Sequence, residues 1–253
     1  MNTNVIDLTG KQILVTGASS GIGRETAKLV SRLGGSVIVS GRNEAELAKT
    51  ISMMEPGPHS ISIFDLNQID EIADWLADLN QKVGKLDGLA NLAGVYAAKP
   101  LRVVDSKLAH ELFNLNVLST IALVRGFRHR KIRNETSSIV LIASVAALIG
   151  EAGISTYSAT KGAIISLTKS LAAELANESI RINCISPSLV KTELFDRMNS
   201  FFTDEQIKRV EKSHPLGLGQ PVDVANLIVF LLSSASKWMT GSNLTIDGGY
   251  SLR

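Results

Sequence analysis

Short apolar runs alternate with longer amphipathic stretches along the whole chain. The apolar runs lie at 12–16, 36–40, 60–64, 86–91, 138–143, 181–186 and 243–246. Several are rich in Ile and Val and lack strict alternation, the pattern of strands buried on both faces. Between them, 21–33, 43–53, 68–83, 106–127, 156–176 and 222–233 read as helices. The first places Ile22, Ala27, Leu29 and Val30 near helical spacing and stops at Gly34-Gly35. Strand and helix repeated in this order predict an α/β fold: a doubly wound parallel sheet of about seven strands with helices on both faces. No linker or repeat divides the sequence, so one domain over residues 1–253 is expected. The rhythm fails only at 188–219, which holds Pro215, Gly217 and Gly219 around a helical-looking part at 193–212. Excursions of this length are often lids or binding loops. A substrate loop is expected here, with a passive surface excursion as the alternative.

Composition narrows the chemistry. The 26 basic and 24 acidic residues leave a formal net charge of +2. That gives no compositional case for a nucleic-acid or membrane-surface partner. Cys184 is the single cysteine, and His59, His110, His129 and His214 are scattered, so no metal cluster is expected. No apolar run approaches the roughly 18 residues that span a bilayer. The first residues carry Asp7 and no basic apolar leader, so a soluble, cytoplasmic protein is expected.

Thr16-Gly17-Ala18-Ser19-Ser20-Gly21-Ile22-Gly23 joins the first strand to the first helix. Glycines let backbone approach a ligand closely, and a helix N-terminus suits a pyrophosphate. The spacing is G-x-x-x-G-x-G rather than G-x-G-x-x-G, and dinucleotide binding is the favoured reading over a structural turn. The same residues fit G-x-S-x-G, the nucleophile elbow of hydrolases. That reading needs an acid and then a histidine downstream, and His214 is the only late candidate. The second strand ends Ser40-Gly41-Arg42-Asn43 without the acid that binds the ribose hydroxyls of NAD. Arg42 offers a guanidinium for a 2′-phosphate instead, which favours NADP, with NAD possible.

Tyr157 and Lys161 stand at i and i+4 on one helical face. An ammonium beside a phenol favours the phenolate and lowers its pKa. Such a tyrosine can pass a proton to or from a carbonyl oxygen. Ser144 follows the run at 138–143 and falls at the same sheet edge, where it could hydrogen-bond that oxygen or simply cap a turn.

With these residues in place the chain resembles the short-chain dehydrogenase/reductase family, a Rossmann-like fold, over nearly its whole length. Thr16 to Gly23 resemble the T-G-x-x-x-G-I-G turn, with Gly17, Ser19, Ser20, Gly21, Ile22 and Gly23 against the cofactor. Asp65-Leu66 is similar to the pair that contacts adenine. Asn91-Leu92-Ala93-Gly94 resembles N-N-A-G, which places Asn91, Ala93 and Gly94 near the cofactor. Pro187 to Thr192 resemble P-G-x-x-x-T, which implies contacts from Pro187, Val190 and Thr192. The resemblance implies a catalytic set of Asn116, Ser144, Tyr157 and Lys161. Tyr157 would act as general acid or base. Lys161 would lower its pKa and bind the nicotinamide ribose. Ser144 would orient the substrate, and Asn116 would hold a water for proton relay. Leu92 and Ser188 depart from the family pattern, at the second Asn of N-N-A-G and at the Gly after Pro187.

Residues 241–250 resemble the 3-oxoacyl-acyl-carrier-protein reductase branch and its relatives, which act on sugars, steroids, ketones and polyketide intermediates. The implied activity is NADPH-dependent reduction of a carbonyl, with a 3-oxoacyl thioester among the candidate substrates. The alternatives are a dehydrogenase of a sugar, steroid or other secondary alcohol, and a nucleotide-binding sensor without turnover. Arg125, Arg128, His129, Arg130, Lys131 and Arg133 form a basic cluster that would either dock an acidic carrier protein or end a solvated helix. The family implies a homotetramer or homodimer. Leu112, Leu115, Leu118, Ile164, Leu167 and Leu171 would serve that interface or the core.

Overall fold

The computed structural model describes residues 6–199 and 203–252. Its strands are β1 (Gln12–Thr16), β2 (Ser36–Gly41), β3 (Ser60–Ile63), β4 (Leu86–Asn91), β5 (Arg133–Ile142), β6 (Ile180–Pro187) and β7 (Asn243–Ile246). They form one sheet in the order β3-β2-β1-β4-β5-β6-β7, with every neighbouring pair parallel. The helices are α1 (Gly21–Arg32), α2 (Glu44–Ser52), α3 (Ile72–Val83), α4 (Ser106–Phe113), α5 (Ser119–Phe127), α6 (Ser155–Leu175), α7 (Glu193–Asn199), α8 (Asp204–Lys212) and α9 (Pro221–Leu232). The result is a single Rossmann-like α/β domain, as the pattern predicts.

Adjacent strand residues point to opposite faces, and both faces are apolar. Leu14, Leu89, Ile139, Leu141 and Ile182 pack with Leu76, Leu123, Phe127, Ile164 and Leu175 on one side. Ile13, Val15, Ala90, Val140 and Ile185 pack with Ala27, Val30, Val224, Ile228 and Leu231 on the other. Each side chain fully buried in this way contributes roughly 1.5–3 kcal/mol. This double burial explains why the runs lack polar alternation. The order of the strands reverses between β1 and β4, which opens a crevice at the carboxyl edge, the usual ligand site in such sheets.

Two elements differ from the periodicity. The helix expected over 106–127 is interrupted by a wide π-type turn at Asn114–Leu118. The Asn116 side chain accepts from Val95 N and donates to Val95 O, both at 2.9 Å, and donates to Thr160 Oγ1 at 3.1 Å. These tertiary bonds draw Asn116 toward its neighbours and interrupt regular winding, which apolar spacing cannot report. The helical-looking part at 193–212 is two helices, α7 and α8, and its base is tied by a parallel bridge between Val190 and Gly219.

The basic cluster lies at the amino edge of the sheet. Arg133 opens β5, and the strand's length, about 33 Å for ten residues, separates it from Ser144. Arg133 is buried, donating to the carbonyls of Arg128, Asn134 and Glu135 and to Glu178. Arg128 donates to Glu178 Oε1 at 2.7 Å. The cluster therefore does not rim the carboxyl-edge crevice, and one of its arginines is part of the interior. Leu112, Leu115 and Ile164 belong to the core, Leu167 and Leu171 pack against it, and Leu118 is 47% exposed.

Candidate active site

The glycine turn is held by contacts that leave no room for side chains. A Cβ on Gly23 would lie 2.1 Å from the Gly17 carbonyl oxygen, and one on Gly17 would lie 2.8 Å from Ala93 N. Gly17 also has φ +66, which L side chains rarely adopt. The Thr16 hydroxyl locks this turn to the next loop. It donates to Asn91 Oδ1 at 2.6 Å and accepts from Leu92 N and Ala93 N. Asn91 also donates to Thr120 Oγ1, so the Asn91 contacts persist with Leu92 beside it.

Ser20 is the N-cap of α1, exposed and without a side-chain capping bond. The first N–H of α1, on Gly21, donates to Glu193 Oε2 at 2.9 Å. The helix N-terminus thus already accommodates a carboxylate, so the turn fits an anionic diphosphate. Ile22 lines the adjoining cavity, and Leu66 is buried against α3. Arg42, 67% exposed, has its guanidinium 3.9 Å from Asp65. A Cβ on the preceding Gly41 would lie 3.9 Å from the Ser19 Cβ, so Arg42 begins beside the turn.

A cavity of about 290 Å³ opens between the turn, the ends of β4, β5 and β6, and residues within 188–195 and 210–213. Gly94, Ser144, Tyr157, Lys161, Pro187, Val190 and Thr192 all line it. Ser144 caps the short turn at Val145–Ala147 by accepting from Ala146 N at 3.2 Å, and its hydroxyl stands close enough to the Tyr157 phenol to favour the phenolate. The cap and the site contact therefore coexist.

Tyr157 keeps part of its ring open to the cavity, but the protein packed around it dominates. Burial pushes its pKa up to about 12, against the lowering effect of the Ser144 hydroxyl. Lys161 is buried, its Nζ donates to Ile142 O at 3.0 Å, and it lies 5.7 Å from the Tyr157 ring centre. Burial lowers Lys161 to about 8. Desolvation thus outweighs any help the ammonium gives the phenolate in this arrangement. Asn116 and Lys161 both crowd Gly94, where a Cβ would lie 3.1 Å from Asn116 Oδ1 and 3.6 Å from Lys161 Nζ.

Sequence reasoning did not place Tyr96 or Tyr250 in this cavity, nor join Ser188 to His214. The Tyr96 ring meets Tyr157 edge-on at 4.9 Å between centres. Burial and the nearby Glu151 carboxylate raise the Tyr96 pKa. Tyr96 lies two residues beyond Gly94, a proximity that could have flagged it. The Ser188 hydroxyl is 2.8 Å from Nε2 of His214, which is buried and stacked on Tyr250. Nothing local connects these three positions. Among the described residues, no group of three or more His, Cys, Asp or Glu could hold a metal ion. None of the described helices is long and apolar enough to cross a membrane.

Known proteins resemble this chain over nearly its whole length. Residues 17–251 match a family model described as enoyl-(acyl carrier protein) reductase. The chain is 33% identical over 247 residues to a 3-oxoacyl-(acyl-carrier-protein) reductase of Rickettsia felis, covering 97% of this chain and 98% of that protein. It is 34% identical over 251 residues to a gluconate 5-dehydrogenase of Gluconobacter oxydans, covering 97% and 96%. A short-chain type dehydrogenase/reductase from Mycobacterium ulcerans superposes with a TM-score of 0.90 at 30% identity, covering 98% of this chain and 92% of that one. The ordered fold, the glycine turn and these full-length similarities together make the chain a member of the short-chain dehydrogenase/reductase family, NAD(P)-dependent oxidoreductases, close to its 3-oxoacyl-acyl-carrier-protein reductase-like branch.

Proposed function

We propose that this protein reduces a carbonyl to a secondary alcohol with NADPH, and that Tyr157 supplies the proton. The observation that carries the reading is the placement of Tyr157 in the cavity with Ser144 and Lys161, where burial raises its pKa to about 12. A phenol so shifted stays protonated throughout the neutral range, in the form a general acid needs. Ser144 orients the substrate oxygen toward that phenol. Lys161 retains its charge below about pH 8 and, through its ammonium, binds the cofactor ribose. Asn116 spans the Val95 loop and α6, and so positions the floor on which Lys161 lies. A bound nicotinamide supplies the hydride.

The cofactor seat comprises Gly17, Ser19, Ser20, Gly21, Ile22 and Gly23 at the diphosphate, with Asp65 and Leu66 toward adenine. Asn91, Ala93, Gly94, Pro187, Val190 and Thr192 flank the nicotinamide side. Arg42 takes the 2′-phosphate, and its exposure beside the turn supports that role. The segment 188–219 acts as the substrate lid. Much of the cavity wall is apolar, including Leu92, Val145, Ile154, Leu189 and Phe195, which suits the acyl part of a 3-oxoacyl thioester. A second reading, oxidation of a sugar or another secondary alcohol, draws on the similarity to the gluconate 5-dehydrogenase. The chain assembles as a homodimer or homotetramer in the cytoplasm in this reading.

The test is NADPH and NADH oxidation against a carbonyl panel including an acetoacetyl thioester, with Tyr157→Phe as control. Turnover that vanishes in the variant while cofactor binding survives is the expected result. Full turnover by Tyr157→Phe would refute the assigned acid. Silence on the thioester with reverse turnover of a sugar alcohol would favour the second reading.

A further inference from the structure

The N-terminus of α1 is engaged by a residue distant in the chain. Glu193, the first residue of α7, accepts from Gly21 N at 2.9 Å through Oε2 and pairs with Arg24 Nη1 at 3.0 Å through Oε1. The approach is close. A Cβ on Gly21 would lie 3.0 Å from Thr192 Cγ2 and 3.7 Å from Glu193 Oε2. Arg24 is itself anchored in the turn: it donates to the Ser19 carbonyl and to Thr50 Oγ1, and pairs with Glu46. Residues 192 and 193 are thus clamped onto the glycine turn.

The carboxylate satisfies an N–H that the helix cannot, and it meets the positive end of the helix dipole. A diphosphate is drawn to the same N–H groups for the same two reasons. Two anions within about 4 Å repel, and more strongly near a protein surface than in bulk water. The seat therefore suits one of them at a time. Leu194 and Phe195, next in the chain, line the same cavity. A change at Glu193 is thereby transmitted to the cavity wall.

We propose that Glu193 is a built-in competitor of the cofactor diphosphate. It holds the α1 N-terminus in the free protein and must leave when cofactor binds, so it sets cofactor affinity and links cofactor arrival to movement at the base of α7. The proposal rests on the reading of the glycine turn as the diphosphate seat.

The test is calorimetric titration of NADPH, and of 2′-phospho-ADP-ribose as a probe without nicotinamide, into the wild-type protein, Glu193→Gln and Glu46→Gln. Thermal denaturation establishes that each variant is folded. Glu193→Gln should tighten both ligands roughly three- to tenfold, the scale of one lost charge-assisted contact. Glu46→Gln removes a carboxylate from Arg24 without touching Gly21 N and should tighten neither to that extent. Should Glu193→Gln prove unfolded, Glu193→Asp, one methylene shorter, should still tighten both ligands by retreating from the N–H. Unchanged or weaker binding in the folded Glu193 variant, or equal tightening in Glu46→Gln, would overturn the proposal. Tightened binding with no carbonyl turned over would sustain the competition while defeating the proposed reductase activity. Failure of every protein to bind either ligand would defeat the diphosphate seat and the competition together.

Discussion

At the scale of single residues, the proposed chemistry rests on two opposed shifts. Tyr157 is raised to about 12 and Lys161 lowered to about 8, both chiefly by burial. Reduction consumes the protonated phenol, which persists far above neutrality. Its kcat/KM should stay flat up to about pH 8 and fall above it as Lys161 loses its charge. Oxidation needs the phenolate and should rise with pH up to about 8, above which loss of the Lys161 charge weakens cofactor binding in this direction too. Steady-state profiles in both directions check this, and a reduction rate still flat at pH values well above 8 would contradict it. Lys161 has a folded pKa below its ordinary value of 10.5, so its charged form opposes folding. That penalty is complete below about 8 and disappears as pH rises toward 10.5. Lys161→Met should therefore abolish turnover yet raise stability by about 1–3 kcal/mol near neutrality, a gain shrinking in alkali. Urea denaturation at two pH values measures both parts. Arg42→Asp should move preference toward NADH, because it replaces a phosphate partner with an acid suited to ribose hydroxyls. An unchanged ratio of NADPH to NADH affinity would remove Arg42 from that role.

At the scale of elements, the interrupted helix pair α4 and α5 is the feature that periodicity conceals. Asn116 sits in the π-type turn and binds the Val95 backbone twice. Replacing it with Ala leaves those backbone groups without their partner. The expected cost is about 1–3 kcal/mol of stability, together with a loss of turnover larger than any change in cofactor affinity. Asn116→Asp, which keeps the acceptor toward Val95 N but loses the donor toward Val95 O, should recover part of the stability. Equal stability of all three proteins by thermal denaturation would show that the bridge carries little. Residues 188–219 are likewise an element problem. Their two short helices take their place from the Val190–Gly219 bridge and from Glu193 at the glycine turn. Local apolar spacing records neither contact.

At the scale of the molecule, the two faces of the sheet are covered by different sets of helices, and the crevice at the β1–β4 reversal gathers residues from most of the chain. On the outside, Leu118 is 47% and Ile121 42% exposed on the same helical run. Apolar residues left on a surface in this way suit a contact with a second copy. Leu118→Glu with Ile121→Glu should lower the oligomeric state seen by light scattering and leave the far-ultraviolet dichroism unchanged. An assembly unaffected by both charges would place the interface elsewhere.

The sequence alone determines the alternation of strands and helices, because burial on both faces leaves a continuous apolar signature in the central strands, while the edge strand β3 alternates polar and apolar. It also determines the chemistry on offer, since glycines needed for close approach and a Tyr–Lys pair one helical turn apart are local patterns. Tertiary structure decides what those groups meet. It buries Lys161 against the Ile142 carbonyl, so desolvation prevails over the expected help to Tyr157. It carries the basic cluster to the edge of the sheet away from the cavity and turns Arg133 inward. It brings Ser188 to His214 and Glu193 to Gly21. Each of these depends on segments far apart in the chain, and on a desolvation cost that exists only once the whole core has closed around them.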